Sequence, residues 1–577
     1  MKAVNQLVNK MEELGVDVIF GIPGGSTLPL YDALYDSNIR SILMRHEQQA
    51  AHAADGYARV RKKPGIVTAT SGPGATNLIT GIVNAAMDSV PIVALTGQVT
   101  RPFLGTDAFQ EADIVGLVLP HTKYATTVLD PKRLAKEFVN AYYCASTGRP
   151  GPTLLDIPRD VMQEDIGNEF NDQISPDPEF CRKPGMPPES EFEKAASLIS
   201  SANKVAILVG GGVHFSGATQ EVLRLAELIG APIVTTLPGK TCIPQDHPLA
   251  MGVVGMHGRL EADMAIINAD LVICIGTRIS DRAVGPHNEF QRNRKIIHID
   301  IDASELGKNV TPSVRLNGDA KQVLAKLIDR LSTYSQPNND PSWVEKLREL
   351  RRAYEEYLLS QSDESRVNSW RLVKLIREEI PRSAIVTTGV GQHQMWAQLF
   401  FEVLEPGTYI TSAGLGTMGF GLPAAFGAKV AAPDRIVVNI DGDGSFQMTC
   451  QTLSNIAEYN YPVITVIFDN RSLGMVRQWQ DLFYMKRFKD VDLTELTNFV
   501  KLAEAFGVEG VLAQSYEEVR KALRRAVRND EAIVIDVPID KNEKVFPMVP
   551  PGKWLAEYIS PPGFEAHGKI STSIITK

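Results

Sequence analysis

Residues 437–470 read VVNIDGDGSFQMTCQTLSNIAEYNYPVITVIFDN. An apolar run from Val437 ends in Gly442-Asp443-Gly444-Ser445, a helical stretch follows from about Thr449 to Tyr459, and a second apolar run closes on Asp469-Asn470. Strand, helix and strand in that order form a βαβ unit, whose strands lie parallel with their carboxyl ends together. Asn470 follows Asp443 by 27 residues, which fits one helix plus one strand. The pair should therefore meet where open α/β sheets bind ligands. A hard divalent ion takes oxygen ligands, one or two from side chains and the rest from phosphates and water. Asp443 offers a charged oxygen and Asn470 a neutral one. Gly442 and Gly444 let the backbone approach phosphates, and the helix N-terminus after Ser445 adds positive potential. A Gly-Asp-Gly also serves as a plain strand-to-helix turn; the spaced Asn470 between two apolar strands favours a Mg²⁺–diphosphate site.

The same alternation runs outward through the chain. Strands are predicted in a first unit at Val18–Phe20, Ile66–Thr70, Ile92–Thr96 and Thr153–Ile157. A second unit has Val205–Val209, Ile233–Thr236, Leu271–Ile275 and Ile296–Ile301, and a third has Ala384–Thr388, Arg435–Ile440, Val463–Asp469 and Ala532–Val537. Helical patterns between them predict an α/β fold of three doubly wound parallel-sheet domains, at 1–165, 190–335 and 365–545, with a C-terminal tail at 546–577. Pro- and Asp-rich stretches at Gln163–Ser190 and Ser332–Pro341 read as linkers.

The 577 residues, 44% apolar and 22% charged, suit a soluble enzyme of several domains. The net charge of −9 argues against a nucleic-acid partner. Five cysteines (Cys144, Cys181, Cys242, Cys274, Cys450) without a CxxC pair read as small core residues in a reducing compartment. No apolar run approaches the roughly 20 residues of a membrane span. The N-terminus is already an amphipathic helix, with Val4, Leu7, Val8, Met11 and Leu14 at helical spacing and no leader, so a cytoplasmic protein is expected.

The GDG and the spaced Asn resemble the thiamin diphosphate (ThDP) motif, although Asp469 stands where many members carry Asn. The runs RHEQQAAHAADGYAR, GTDAFQEADIVG, GRPGPTLLDIPRDV, TTGVGQHQMWAQ and GMVRQWQ extend the likeness over nearly the whole chain. They resemble the catalytic subunits of the acetohydroxyacid (acetolactate) synthase family. The resemblance implies a ThDP pyrimidine-binding first domain, an FAD-binding middle domain and a diphosphate-binding third domain. It implies decarboxylation of pyruvate and transfer of its two-carbon unit to a second 2-oxo acid, pyruvate or 2-oxobutyrate, for branched-chain amino acid synthesis. Ser472 would give a third metal ligand through its carbonyl. Glu47 would pair with the aminopyrimidine, its alternative being a solvated helix-start carboxylate. Met418 would support the bent cofactor, its alternative being core packing.

Val390, Gly391, Gln392 and His393 match the loop that reaches the diphosphate. Gly25 and Ser26 match the loop over the reactive face, and Phe109 and Gln110 lie beside it. Arg282 would meet the acceptor carboxylate with its guanidinium fork, unless it is only ion-paired at the surface. Trp479 would shape the acceptor pocket, unless it is a core tryptophan. Arg149, Gly211, Gly212, Met256, His257, Gly276, Arg278 and Asp319 match FAD-contacting positions. A homodimer or homotetramer with active sites between subunits is implied, with a separate regulatory small subunit. A flavin-reducing pyruvate oxidase and a flavin-free catabolic synthase are the rival readings. The contexts of Arg282 and Trp479 weigh against the first, and the flavin-like middle domain and Trp479 against the second.

Overall fold

Runs of Val and Ile buried on both faces build three parallel six-stranded sheets. The computed structural model describes residues 1–167, 174–181, 184–334, 340–362 and 366–564. The first sheet holds β1 (Val18–Ile22), β2 (Arg40–Leu43), β3 (Gly65–Ala69), β4 (Ile92–Gln98), β5 (Tyr124–Thr127) and β6 (Thr153–Pro158), ordered β2-β1-β3-β4-β6-β5. The second holds β7 (Val205–Val209), β8 (Ile233–Thr235), β9 (Ala250–Val253), β10 (Leu271–Ile275), β11 (Lys295–Asp300) and β12 (Val314–Asn317), ordered β12-β11-β10-β7-β8-β9. The third holds β13 (Ile385–Thr388), β14 (Tyr409–Thr411), β15 (Val437–Gly442), β16 (Ile464–Asp469), β17 (Glu509–Leu512) and β18 (Ile533–Pro538), ordered β14-β13-β15-β16-β18-β17.

The first and third sheets thus share one strand order. The middle sheet has the doubly wound order of dinucleotide-binding domains. Each has a switch point where the order reverses, between β1 and β3, β7 and β10, and β13 and β15. A crevice opens there at the carboxyl ends of the strands.

Each sheet has two strands beyond the four read from sequence, and all six are sheet edges. The helix expected from about Thr449 to Tyr459 runs Thr452–Tyr459, and a separate short helix, Asp443–Gln447, precedes it. The N-terminal helix is Ala3–Glu13, with Leu14 at its cap. The cysteine reading needs one correction. Cys144, Cys242 and Cys274 are buried and Cys450 is half-buried, but Cys181 is exposed, because it follows a short 3-10 turn, Pro178–Phe180, in the first linker. Parts of both linkers (168–173, 182–183 and 335–339) and of the tail (565–577) lie outside the described residues.

The first and third units pack through helices Glu47–Arg61 and Gly421–Ala431. These cross at backbone distance. A Cβ on Gly56 would stand 2.2 Å from the Ala424 carbonyl oxygen, and one on Gly427 would stand 1.9 Å from that of Ala53. Beside the crossing, the half-buried Arg59 pairs with Asp55 (2.6 Å) and Asp88 (3.0 Å). Asp88 also accepts the backbone N–H groups of Ala413 and Gly414. Among the described residues no helix is long and apolar enough to cross a membrane.

Candidate active site

The third sheet builds a cleft at its reversal point. Val390–His393 follow β13, Gly442 ends β15 with Asp443–Ser445 just after it, and Asn470 and Ser472 follow β16; all line the cleft, with Met418 on its wall. Every residue predicted there for the diphosphate and the metal is therefore brought together. Asp443 is 3% exposed and its Oδ2 has no hydrogen-bond partner. Burial, reinforced by the Asp469 carboxylate, pushes its carboxyl well above the usual range. A buried carboxylate with an idle oxygen beside an amide oxygen is a donor set that suits a hard cation. Asn470 is held by its Oδ1, which accepts the Ser472 N–H at 2.9 Å.

The surrounding glycines fit a close backbone approach. A Cβ on Gly442 would meet His393 Nδ1 at 2.5 Å, and one on Gly444 would meet Leu473 at 2.9 Å. His393 is buried with Nε2 unpartnered, and burial lowers its ring to about 3, so it is neutral. The Ser445 hydroxyl accepts the N–H groups of Gly419 (3.0 Å) and Val390 (3.4 Å), tying three cleft loops together.

Glu47 is absent from this cleft: no residue of the first sheet lines it. Glu47 opens its helix just past β2 and is 8% exposed, so it is not a solvated helix-start carboxylate. Its Oε2 accepts from Asn77 at 3.0 Å, and a Cβ on Gly74 would stand 3.3 Å from its Oε1. Gly25, Ser26 and Gln110 lie at the same carboxyl-end face of the first sheet. The Ser26 hydroxyl bonds Thr70 Oγ1 and accepts the Ser71 N–H, both at 2.9 Å, closing the reversal point between β1 and β3. Gly25 is exposed and a Cβ there would meet nothing within 4 Å. Gln110 has φ +63°, packs on Gly72, and leaves neighbouring Phe109 88% exposed. The Glu47 face of the first sheet is thus separate from the cleft of the third sheet in the same chain.

The helix Gly474–Phe483 starts inside the cleft, where Gly474, Met475 and Val476 line it, and carries Trp479 one turn further on. The Arg282 guanidinium lies 5.8 Å from the centre of the Trp479 ring, and its Nη1 is 2.7 Å from Met256 Sδ. Its ion pair with Asp281 is long, 3.9 Å, and exposed, which contributes little. The indole N–H of Trp479 is buried without a partner. Two residues nearly 200 positions apart are therefore stacked beside the cleft.

The middle sheet holds a cavity of about 480 Å³ at its reversal point, a volume typical of cofactor sites. Gly211 and Gly212 follow β7, Gly276 and Arg278 follow β10, and Asp319 caps helix Ala320–Leu331; all line it. A Cβ on Gly212 would stand 2.9 Å from Gly276 Cα, so the two loops touch through glycine. Arg149 reaches in from the first unit, bonding Ser89 and pairing with Asp302 (3.3 Å) and Glu305 (2.7 Å). Burial lowers the Arg278 guanidinium. Met256 and His257 do not line this cavity. Met256 faces Arg282, and His257 is buried with Nε2 unpartnered, its ring lowered to about 3 by burial. Asn77, Asp300 and Glu305, which also face these sites, escaped the sequence reading. No spacing marks them, although Asp300 ends an apolar strand as cofactor-binding acids often do.

Three adjoining family descriptions match the chain: "Thiamine pyrophosphate enzyme, N-terminal TPP binding domain" over residues 1–117, the central domain over 192–327, and the C-terminal TPP binding domain over 389–537. Fold and cleft thus define a thiamine pyrophosphate enzyme. A "Probable acetolactate synthase large subunit" of Methanocaldococcus jannaschii is 45% identical over 97% of this chain and 95% of its own length. The acetolactate synthase large subunits of Corynebacterium glutamicum and Porphyra purpurea are 43% and 42% identical, each over 96% of this chain and over 89% and 94% of their own lengths. The chain belongs to the acetolactate synthase large-subunit family.

Proposed function

We propose that the chain condenses pyruvate with a second pyruvate or with 2-oxobutyrate, giving 2-acetolactate or 2-aceto-2-hydroxybutyrate, as a cytoplasmic enzyme using ThDP, Mg²⁺ and FAD. The observation that carries this reading is the buried, half-unpartnered Asp443 carboxylate facing Asn470 in a glycine-walled cleft from which the Arg282–Trp479 stack is one helical turn away.

When bound, ThDP would supply a carbon nucleophile and an electron sink for decarboxylation of a 2-oxo acid. Asp443, Asn470 and the Ser472 carbonyl would hold Mg²⁺, and Gly442, Gly444, Ser445 and Val390–His393 would seat the diphosphate, with Met418 under the cofactor. Glu47 would hydrogen-bond the aminopyrimidine, its carboxyl group steadied by the Asn77 amide. Arg282 grips the acceptor carboxylate, and Trp479 shapes the acceptor pocket so that the longer 2-oxobutyrate packs on its ring and is favoured. Gly25, Ser26 and Gln110 close the reactive face from the second copy of a homodimer, itself able to pair into a homotetramer. Arg149, Gly211, Gly212, Gly276, Arg278 and Asp319 would bind FAD in a structural role, with Met256 and His257 toward the acceptor side. A separate regulatory subunit is an expected partner.

Incubation with pyruvate, ThDP and MgCl₂, followed by acid conversion of the product to acetoin, tests this directly. Acetoin is expected only with both ThDP and the metal ion. Acetate or acetyl phosphate formed with bleaching of the flavin would instead establish the oxidase reading.

A further inference from the structure

A buried chain of side-chain amides leads out of the cleft. Asn470 Nδ2 donates to Gln392 Oε1 at 3.2 Å, and Gln392 Nε2 donates to Gln478 Oε1 and to the Glu543 carbonyl, each at 3.0 Å. Gln478 Oε1 also accepts the Val545 N–H at 2.8 Å, while its Nε2 donates to the Val545 carbonyl at 3.0 Å and to Met548 Sδ at 3.6 Å. All the hydrogen-bonding capacity of the Gln478 amide is used, and the residue is 2% exposed. The start of its helix lies flat on the chain. A Cβ on Gly474 would stand 2.1 Å from Gln392 Oε1 and 2.5 Å from Asn470 Nδ2. The C-terminal segment that Gln478 grips continues to Val549, whose N–H donates to the Met256 carbonyl at 2.8 Å, and Met256 touches Arg282.

We propose that Gln478 is a positioning residue of the reaction: through Gln392 it aims Asn470 at the metal, and through Val545 it sets Trp479 and Arg282 in register with the cleft. The proposal rests on the cleft being the metal–diphosphate site. Outer partners that orient a metal ligand govern its affinity as well as its geometry. A residue adjacent to Trp479 that also reaches Asn470 couples metal grip to acceptor choice. A purely structural glutamine would affect neither.

The test uses the full chain with ThDP, Mn²⁺ as a paramagnetic probe read by EPR, and a mixed-acceptor product assay. Gln478→Met is expected to weaken Mn²⁺ binding about tenfold and to change the ratio of the two products, with circular dichroism unchanged. Gln478→Glu keeps the acceptor oxygen for Gln392 and Val545 N–H and loses the donor to the Val545 carbonyl. It should recover most of the Mn²⁺ affinity but not the product ratio. A folded Gln478→Met protein with native Mn²⁺ affinity and product ratio would overturn the proposal, as would equal Mn²⁺ defects in both variants. Should Gln478→Met not fold, Gly474→Ala strikes the Gln392–Asn470 contact instead. Weakened Mn²⁺ binding supports the proposal and native binding overturns it. Wild-type protein that fails to bind Mn²⁺ with ThDP, or Asp443→Asn protein that binds it normally, would overturn the cleft reading itself and the proposal with it.

Discussion

Trp479 offers one face to Arg282, so its effect on an acceptor is both steric and electrostatic. Trp479→Leu removes the ring face and widens the space beside it. The share of 2-aceto-2-hydroxybutyrate formed from mixed pyruvate and 2-oxobutyrate should fall several-fold, read by chromatography of the products; an unchanged share contradicts the assignment. Lys240 poses a different residue-scale question. The residue is 1% exposed, and among the described residues its ammonium group bonds Gln245 Oε1 and the Gln398 carbonyl, both at 3.1 Å, above the Tyr409 ring. Burial, with Arg259 and Arg351 opposing and Glu402 favouring the charge, pushes it down to about 7. A lysine lowered on folding releases a proton that the unfolded chain keeps. Stability from this group therefore rises as pH climbs from about 7 toward its unfolded value near 10.4. Melting temperatures of wild type and Lys240→Met compared between pH 7 and 9.5 should diverge in favour of wild type as pH rises, and parallel curves would refute the assignment.

At the scale of elements, the crossing of Glu47–Arg61 with Gly421–Ala431 leaves no room for a methyl group at Gly427. Gly427→Ala must part the helices, with an expected loss of about 1–3 kcal/mol, visible as a lowered melting temperature. The proposed role of Glu47 adds a drop in activity, because the displaced helix begins with that residue. The elements also show how far the sequence could be read. The twelve central strands are apolar runs buried on both sides and were legible as such. The six edge strands, β2, β5, β9, β12, β14 and β17, are three or four residues long. Several alternate exposed and buried positions, or are exposed at most positions, because one side of an edge lacks a neighbour. The cleft of the third sheet was legible because Asp443 and Asn470 lie a βαβ length apart in sequence. Glu47 had no such local signature and depended on family likeness. Gln478 was invisible because its partners stand at 392, 543 and 545 and meet only after folding.

At the scale of the molecule, the cleft of the third sheet and the Glu47 face of one chain do not meet. Two inactive variants should therefore complement each other. Glu47→Gln and Asp443→Asn are each expected to retain little activity. Mixed, unfolded together and refolded, they are expected to form hybrids of the proposed homodimer with one intact site of two, and a random mixture should regain up to about a quarter of wild-type activity. Mixtures as inactive as their components would place both halves of the site on one chain.

The cavity at the reversal of the middle sheet is walled on one side by Ser89 and Arg149 of the first unit and on the other by Gly211, Arg278 and Asp319 of the second. Whatever occupies it is wedged like a keystone across a joint, resisting movement of either unit against the other. A flavin lodged there would serve by its rigid shape while its redox chemistry lay idle. Vitamin B2 supply would then bear on how long such an enzyme lasts in the cell more than on how fast it turns over.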